Sequence, residues 1–133
     1  MRSRPLSLPV VSLSMVLLAS ILLACGSSHS LQSVTVSPAT AASSQAQFIA
    51  TGVYNSSPTN VDITASTTWC IGSSNGICDG NVAQGATVSA GLAQCLTGFS
   101  GSVTVLAGKA ASMGLPDQGQ QLKPYGAAQL TCP

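Results

Sequence analysis

An apolar run over residues 6–23 lies behind Arg2 and Arg4, ends at Ala24-Cys25, and divides the chain before any folding argument begins. A positive start, an apolar middle and a small residue at the end make a secretory signal. The run is densest at Met15-Val16-Leu17-Leu18 and Ile21-Leu22-Leu23. It is barely long enough to span a bilayer and is interrupted by Pro9, Ser12, Ser14 and Ser20, which argues against an uncleaved anchor. Residues 1–24 are therefore expected to be removed. What must fold is the remainder, roughly 100 residues and enough for one domain.

That remainder carries little charge. Both arginines lie in the leader, so Lys109 and Lys123 stand against Asp62, Asp79 and Asp117, with no glutamate. Two lysines scattered along the sequence cannot neutralise a run of phosphates, which excludes nucleic acid as a partner. Nor do they make a polybasic lipid-binding face. The composition also argues against disorder, because disordered chains are usually charged and poor in β-branched residues. Two Phe, two Tyr and one Trp leave a core that must be built from small side chains, and a domain of this size buries only a modest fraction of its surface.

Such a core gains from covalent closure, and Cys70, Cys78, Cys95 and Cys132 can supply it. Outside the cytoplasm, an even number of cysteines in a small domain reads as disulfides. Four cysteines allow three pairings. Cys70–Cys78 with Cys95–Cys132 is favoured, because residues 71–77 contain the Gly, Ser and Asn that turn a chain back on itself. In the loop-entropy picture the shorter closure contributes about 2.6 kcal/mol and the longer about 3.8 kcal/mol. The rival is a four-cysteine zinc site. Its intervals would be 7, 16 and 36 residues, without the close pairs usual in structural zinc sites. No metal and no other cofactor is expected.

From Leu31 onward the sequence reads as short strands separated by turn residues. Ser33-Val34-Thr35-Val36 alternates and is stopped by Pro38. Residues 45–54 form a longer strand with Phe48, Ala50, Gly52 and Tyr54 on one face, ended by the turn Asn55-Ser56-Ser57-Pro58. Val61-Asp62-Ile63-Thr64 is a short edge segment, and Thr67-Thr68-Trp69-Cys70 a candidate central strand. Ala86-Thr87-Val88-Ser89 and Leu92-Ala93-Gln94-Cys95 flank Ala90-Gly91 and read as a hairpin. Residues 102–107 place Val103 and Val105 on one face, and residues 126–132 do the same for Ala128, Leu130 and Cys132. The stretch 108–125, with Pro116, Asp117-Gln118-Gly119 and Pro124, reads as a long connecting loop. No segment beyond the leader has a helical period. The expected fold class is all-β, an antiparallel sandwich of about seven strands.

Two resemblances sharpen this reading. Leu22-Leu23-Ala24-Cys25 resembles the lipobox of bacterial lipoprotein signal peptides. It implies cleavage before Cys25, acylation of that cysteine, and a membrane partner held through the lipid. A thiolate is the nucleophile such chemistry needs. The chain then divides into a signal peptide (1–24), a lipidated N-terminus with a flexible polar tether (25–30) and a folded domain (31–133). Gly26, where aspartate would favour retention in the inner membrane, implies the outer membrane in a host that has one. The second resemblance is to bacterial immunoglobulin-like domains of group 2, the kind found in intimin- and invasin-like adhesins. It is carried in order by residues 33–40, by Gln47-Phe48-Ile49-Ala50-Thr51-Gly52-Val53-Tyr54, by Asp62-Ile63-Thr64, by Thr67-Thr68-Trp69, by residues 86–93 and by Gly101-Ser102-Val103-Thr104-Val105. The ending Ala-Gln-Leu-Thr-Cys-Pro at residues 128–133 is similar to that of small single-domain bacterial lipoproteins. The cysteines and the stretch after Ala107 depart from the group-2 pattern. The resemblance implies an immunoglobulin-like sandwich with Trp69 packed between its two sheets, and the alternation places Phe48, Val103, Val105 and Leu130 in the core. With Trp69 facing inward, Cys70 points to the other face and Cys132 inward with Leu130, which disfavours joining Cys70 to Cys132.

Catalytic groupings are scarce. The one histidine, His29, falls in the tether, and the three aspartates lie far apart, so neither a nucleophile–base set nor a carboxylate pair is evident. The expectation is a non-catalytic cell-envelope lipoprotein whose domain is an interaction or structural module, with a protein or cell-wall glycan as partner. The alternative, a carbohydrate- or cell-wall-binding module, needs exposed aromatic side chains, for which Tyr125 and Phe99 are the candidates.

Overall fold

The computed structural model describes residues 28–80, 84–111 and 119–133. The expected leader (1–24), Cys25 and Asp117 lie outside them. Ten strands and no helix are present among the described residues: β1 (Leu31–Ser37), β2 (Thr40–Ala42), β3 (Gln45–Gln47), β4 (Ile49–Tyr54), β5 (Asn60–Asp62), β6 (Thr68–Gly72), β7 (Ala86–Ser89), β8 (Leu92–Cys95), β9 (Gly101–Ala110) and β10 (Leu122–Cys132). The described residues are thus all-β, as their alternation requires. They form more strands than the seven expected.

The strands form three ladders, ordered β1-β4-β5, β3-β8-β7 and β2-β10-β9-β6. All pairings are antiparallel except β2 with β10. The first two ladders are linked by one continuous run of chain. Residues 45–54 were expected as a single strand, and they change partners at Phe48: β3 pairs with β8, and β4 pairs with β1 and β5. Phe48 donates its backbone N–H to the Gly91 carbonyl, at 2.8 Å, and its side chain is fully buried. Val34 and Val36, Phe48 and Ala50, Val88 and Ala93 face Ile71, Val103, Val105, Ala107, Ala128, Leu130 and Cys132 in one core, a sandwich-like arrangement. Period-two alternation is what sends these side chains inward and their neighbours outward.

The β7–β8 hairpin turns at Ala90 and Gly91, with φ of 46° and 81°. Positive φ at both central residues is the turn whose twist matches antiparallel strands. Glycine at 91 has a second cause. A Cβ there would lie 2.2 Å from the Phe48 carbonyl oxygen, so a side chain would push β8 off the Phe48 junction.

Two expectations need correction. The strand containing Trp69 is the edge of its ladder rather than a central strand. Trp69 itself is half-buried against the core, with its indole N–H donated to the Thr64 carbonyl at 2.8 Å. Nor is the stretch 108–125 a loop throughout. β9 runs on to Ala110 and β10 begins at Leu122, with Leu122 opposite Ala110 and Tyr125 opposite Gly108. The register shifts between Leu122 and Tyr125, and Pro124, which has no N–H to give a ladder, falls in that irregularity.

The extension exists because the outer face of the β6/β9 pair is covered as well. Residues 73–80 fold over it: Gly72 bridges to Cys78, Ile77 bridges to Gln121, and Leu122 donates to the Gly76 carbonyl at 2.9 Å. Beneath lies a second small core of Cys70, Cys78, Leu106 and Leu122, flanked by Tyr125. Burial of β9 is accordingly continuous from Val105 to Gly108, where a one-sided strand would alternate.

Two disulfides join these parts. Cys70 is bonded to Cys78 with Cα atoms 5.6 Å apart, and Cys95 to Cys132 with Cα atoms 5.9 Å apart. The first fastens the cover over β6. The second ties the end of β8 to the end of β10, across the two layers.

Candidate functional site

The chain enters the domain against the turn between β4 and β5. Asn55 holds it there. Its Oδ1 accepts from the Ser30 N–H at 2.9 Å, its Nδ2 donates to the Ser28 carbonyl at 3.0 Å, and its own N–H donates to the Ser30 carbonyl at 3.2 Å. One asparagine side chain can both donate and accept, so it serves the two backbone groups much as a neighbouring strand would. His29 lies flat on Tyr54, with ring centroids 4.2 Å apart and planes 9° apart, and its Nδ1 is 2.9 Å from Ser56 Oγ. Ser28, His29 and Ser30, expected as part of a flexible tether, are therefore attached to the domain.

Beside this junction is a groove of about 640 Å³ lined by His29, Leu31, Tyr54, Lys109, Lys123 and Pro124. A smaller hollow of about 280 Å³ shares Leu31, Tyr54 and Lys109 with it and continues to Ile63 and Thr67. Both lysines of the chain are here, together with its one histidine. The sequence shows them scattered; the β9–β10 pairing makes them neighbours, with Lys109 opposite the Lys123-Pro124 irregularity. Neither lysine has an ion-pair partner among the described residues, and neither Asp62 nor Asp79 lines the groove. Sequence reasoning missed this site. Its one visible trace was the turn Asn55-Ser56-Ser57-Pro58, whose contacts lie more than 20 residues away.

The remaining candidates separate cleanly. Cys25 lies outside the described residues. Phe48, Val103, Val105 and Leu130 are buried in the main core. The four sulfurs are closed as disulfides, whereas a zinc site needs thiolates. Tyr125 and Phe99 are half-buried. The Tyr125 hydroxyl donates to the Ser74 carbonyl at 2.8 Å and its ring rests on Gly76, while Phe99 rests on Gly85. Rings committed this way offer less than the flat exposed platform on which a sugar stacks. Among the described residues the His29–Ser56 pair has Asn55 beside it and no carboxylate as a hydrogen-bond partner, so they supply no orienting acid of the triad kind.

No protein-family model matches this chain, and no curated protein does.

Asp62, on the exposed strand β5, has an electrostatic signature. Hydrogen bonds from the Thr64 side chain and then from its backbone N–H, at 2.9 Å to Oδ1, hold the carboxyl below the usual carboxylate range. A folded-state value below the unfolded one adds stability above the unfolded pKa, and that contribution is lost as pH falls through the folded one. Asp62→Asn should therefore flatten the acid limb of the stability–pH curve, between about pH 5 and pH 2, as read by urea denaturation at a series of pH values. Superimposable curves for the two proteins would show that Thr64 does not favour the ionised form.

Proposed function

We propose that this chain is a non-catalytic cell-envelope lipoprotein, anchored through acyl chains on Cys25, whose single immunoglobulin-like domain serves as an interaction or structural module. The observation that carries the reading is the closure of Cys70–Cys78 and Cys95–Cys132. Disulfides of this kind persist outside the reducing cytoplasm, which is where the leader and its terminal cysteine would deliver the chain.

What supports the immunoglobulin-like part is the order of strand pairing. In a constant-type immunoglobulin sandwich, strands A, B, E and D form one sheet and C, F and G the other. Here β1 pairs with the run β3–β4, that run with β8, and β8 with β7, which reproduces A-B-E-D. β6 pairs with β9 and β9 with β10, which reproduces C-F-G. Trp69 then falls on strand C, the position of the core tryptophan in antibody domains. The disulfides differ from the antibody arrangement, joining E to G and C to its following segment.

Intact mass spectrometry of the protein from its native membrane fraction tests the reading, with thiol alkylation before and after reduction. The expected mass lacks residues 1–24, carries acyl chains, and gains four alkyl groups only after reduction. An unacylated Cys25 overturns the anchor, and four thiols that alkylate without reduction overturn the oxidised domain.

A further inference from the structure

We infer that the groove formed by His29, Lys109 and Lys123 binds a phosphate-bearing anionic headgroup of the bilayer in which the chain is anchored, so that the domain docks on the membrane surface in one orientation. The inference deepens the reading of Cys25 as the lipid anchor and rests on it.

Three observations carry it. First, the positive charge of the chain beyond the leader is concentrated here: both lysines line one groove, and the two described acids line neither hollow. Second, the arrangement is electrostatically incomplete. Two cations lining one groove repel, and Lys109, which lies across the register irregularity from Lys123, has no ion-pair partner among the described residues. An anion between them removes that repulsion. The two ammonium groups are donors for a phosphate, whose oxygens are acceptors, and the His29 ring lines the same groove. Third, the groove is close to the anchor. Only Gly26 and Ser27 separate Cys25 from Ser28, which Asn55 fixes to the groove's edge. Three extended residue steps span at most about 11 Å, comparable with the Debye length of about 8 Å at physiological salt. The edge of the groove therefore lies within about that reach of the anchor, which supplies the headgroup at high local concentration. A groove with Leu31 and Tyr54 in its wall also accepts the glycerol backbone behind the phosphate.

The test uses the full-length protein, purified from membranes and reconstituted in lipid discs of phosphatidylcholine alone or mixed with phosphatidylglycerol, with a spin label on the headgroups. Amide resonances of Lys109 and Lys123 and the ring resonances of His29 should broaden as the phosphatidylglycerol fraction rises. In Lys109→Gln or Lys123→Gln the fraction needed for half the effect should increase about fivefold, the factor expected for one basic residue at an anionic surface. Both side chains are exposed, and unchanged amide dispersion elsewhere shows that the variants fold. Equal broadening in phosphatidylcholine alone would mean mere proximity and overturn the proposal. So would displacement of the effect by inorganic phosphate at a concentration near that of the lipid, which would make the groove a free-anion site. The mass of the same sample reports the anchor separately. Acylated Cys25 without lipid selectivity removes the groove proposal alone, and an unacylated Cys25 removes the anchor.

Discussion

Replacing Cys95 and Cys132 together by alanine is expected to lower the unfolding free energy by about 3.8 kcal/mol, the loop-closure contribution of a bridge of this span. The effect is large because domains of this kind keep only about 5–15 kcal/mol in hand. It is also large because of where the bridge lies. Cys95 ends β8, in the layer of short strands, and Cys132 ends β10, the longest strand of the opposite layer. β3, β7 and β8 contribute three or four residues each, and their inward side chains are mostly alanine: Ala46, Ala86 and Ala93 beside Val88. Alanine buries little area, and at about 25 cal/mol per Å² small side chains cannot hold two layers as firmly as leucine or phenylalanine would. The covalent link makes up that shortfall by restricting the unfolded chain. Altering both cysteines avoids a free thiol in the comparison. Thermal unfolding should shift down by about 15–30 °C, and urea denaturation gives the free energy directly. A loss below about 1 kcal/mol would show that packing alone fixes the β8 ladder to the opposite sheet, contrary to the loop-closure argument.

How much of this was legible beforehand differs from element to element, for physical reasons. β1, the β7–β8 hairpin and the inward faces of β9 and β10 follow from alternation and from one glycine at a turn, signals that lie within a few residues of each other. The cover formed by residues 73–80 does not. Its Gly, Ser and Asn residues announce a turn, but its lid function depends on Gly76 and Ile77 meeting Leu122 and Gln121, more than 40 residues on. For the same reason the extension of β9 and β10 past Ala107 was hidden. Leu106 and Leu122 are worth burying on the outer face only because that cover exists, and Pro124 argues locally against a strand. The cationic groove was least visible of all. It needs the β9–β10 register to bring Lys109 to Lys123, and it needs Asn55 to hold His29 beside them. Local patterns therefore set which residues form strands, and long-range pairing set the candidate site.

Phe48→Ala is expected to cost about 3–5 kcal/mol, the range for emptying a buried aromatic site. The substitution acts at the junction where the run from β3 to β4 passes from one set of partners to another. Phe48 is fully buried and is one of only two phenylalanines available to fill a core built mostly of Val, Ala, Leu and Ile. Small neighbours on short strands, which have few rotamers to move into the gap, cannot refill it well. Phe48→Leu should recover part of the loss, since most of the volume remains. The adjacent Ile49→Ala is the informative partner. Ile49 is 48% exposed on the opposite face of the same strand, so its truncation should change stability by no more than about 0.5 kcal/mol. Urea denaturation of the three variants measures all of this on one scale. A strand displaced by one residue carries its whole inward set to the solvent face. Equal losses at positions 48 and 49, or the larger loss at Ile49, would therefore place Phe48 outward. That would displace the β4 register and the Gly91 contact that depends on it.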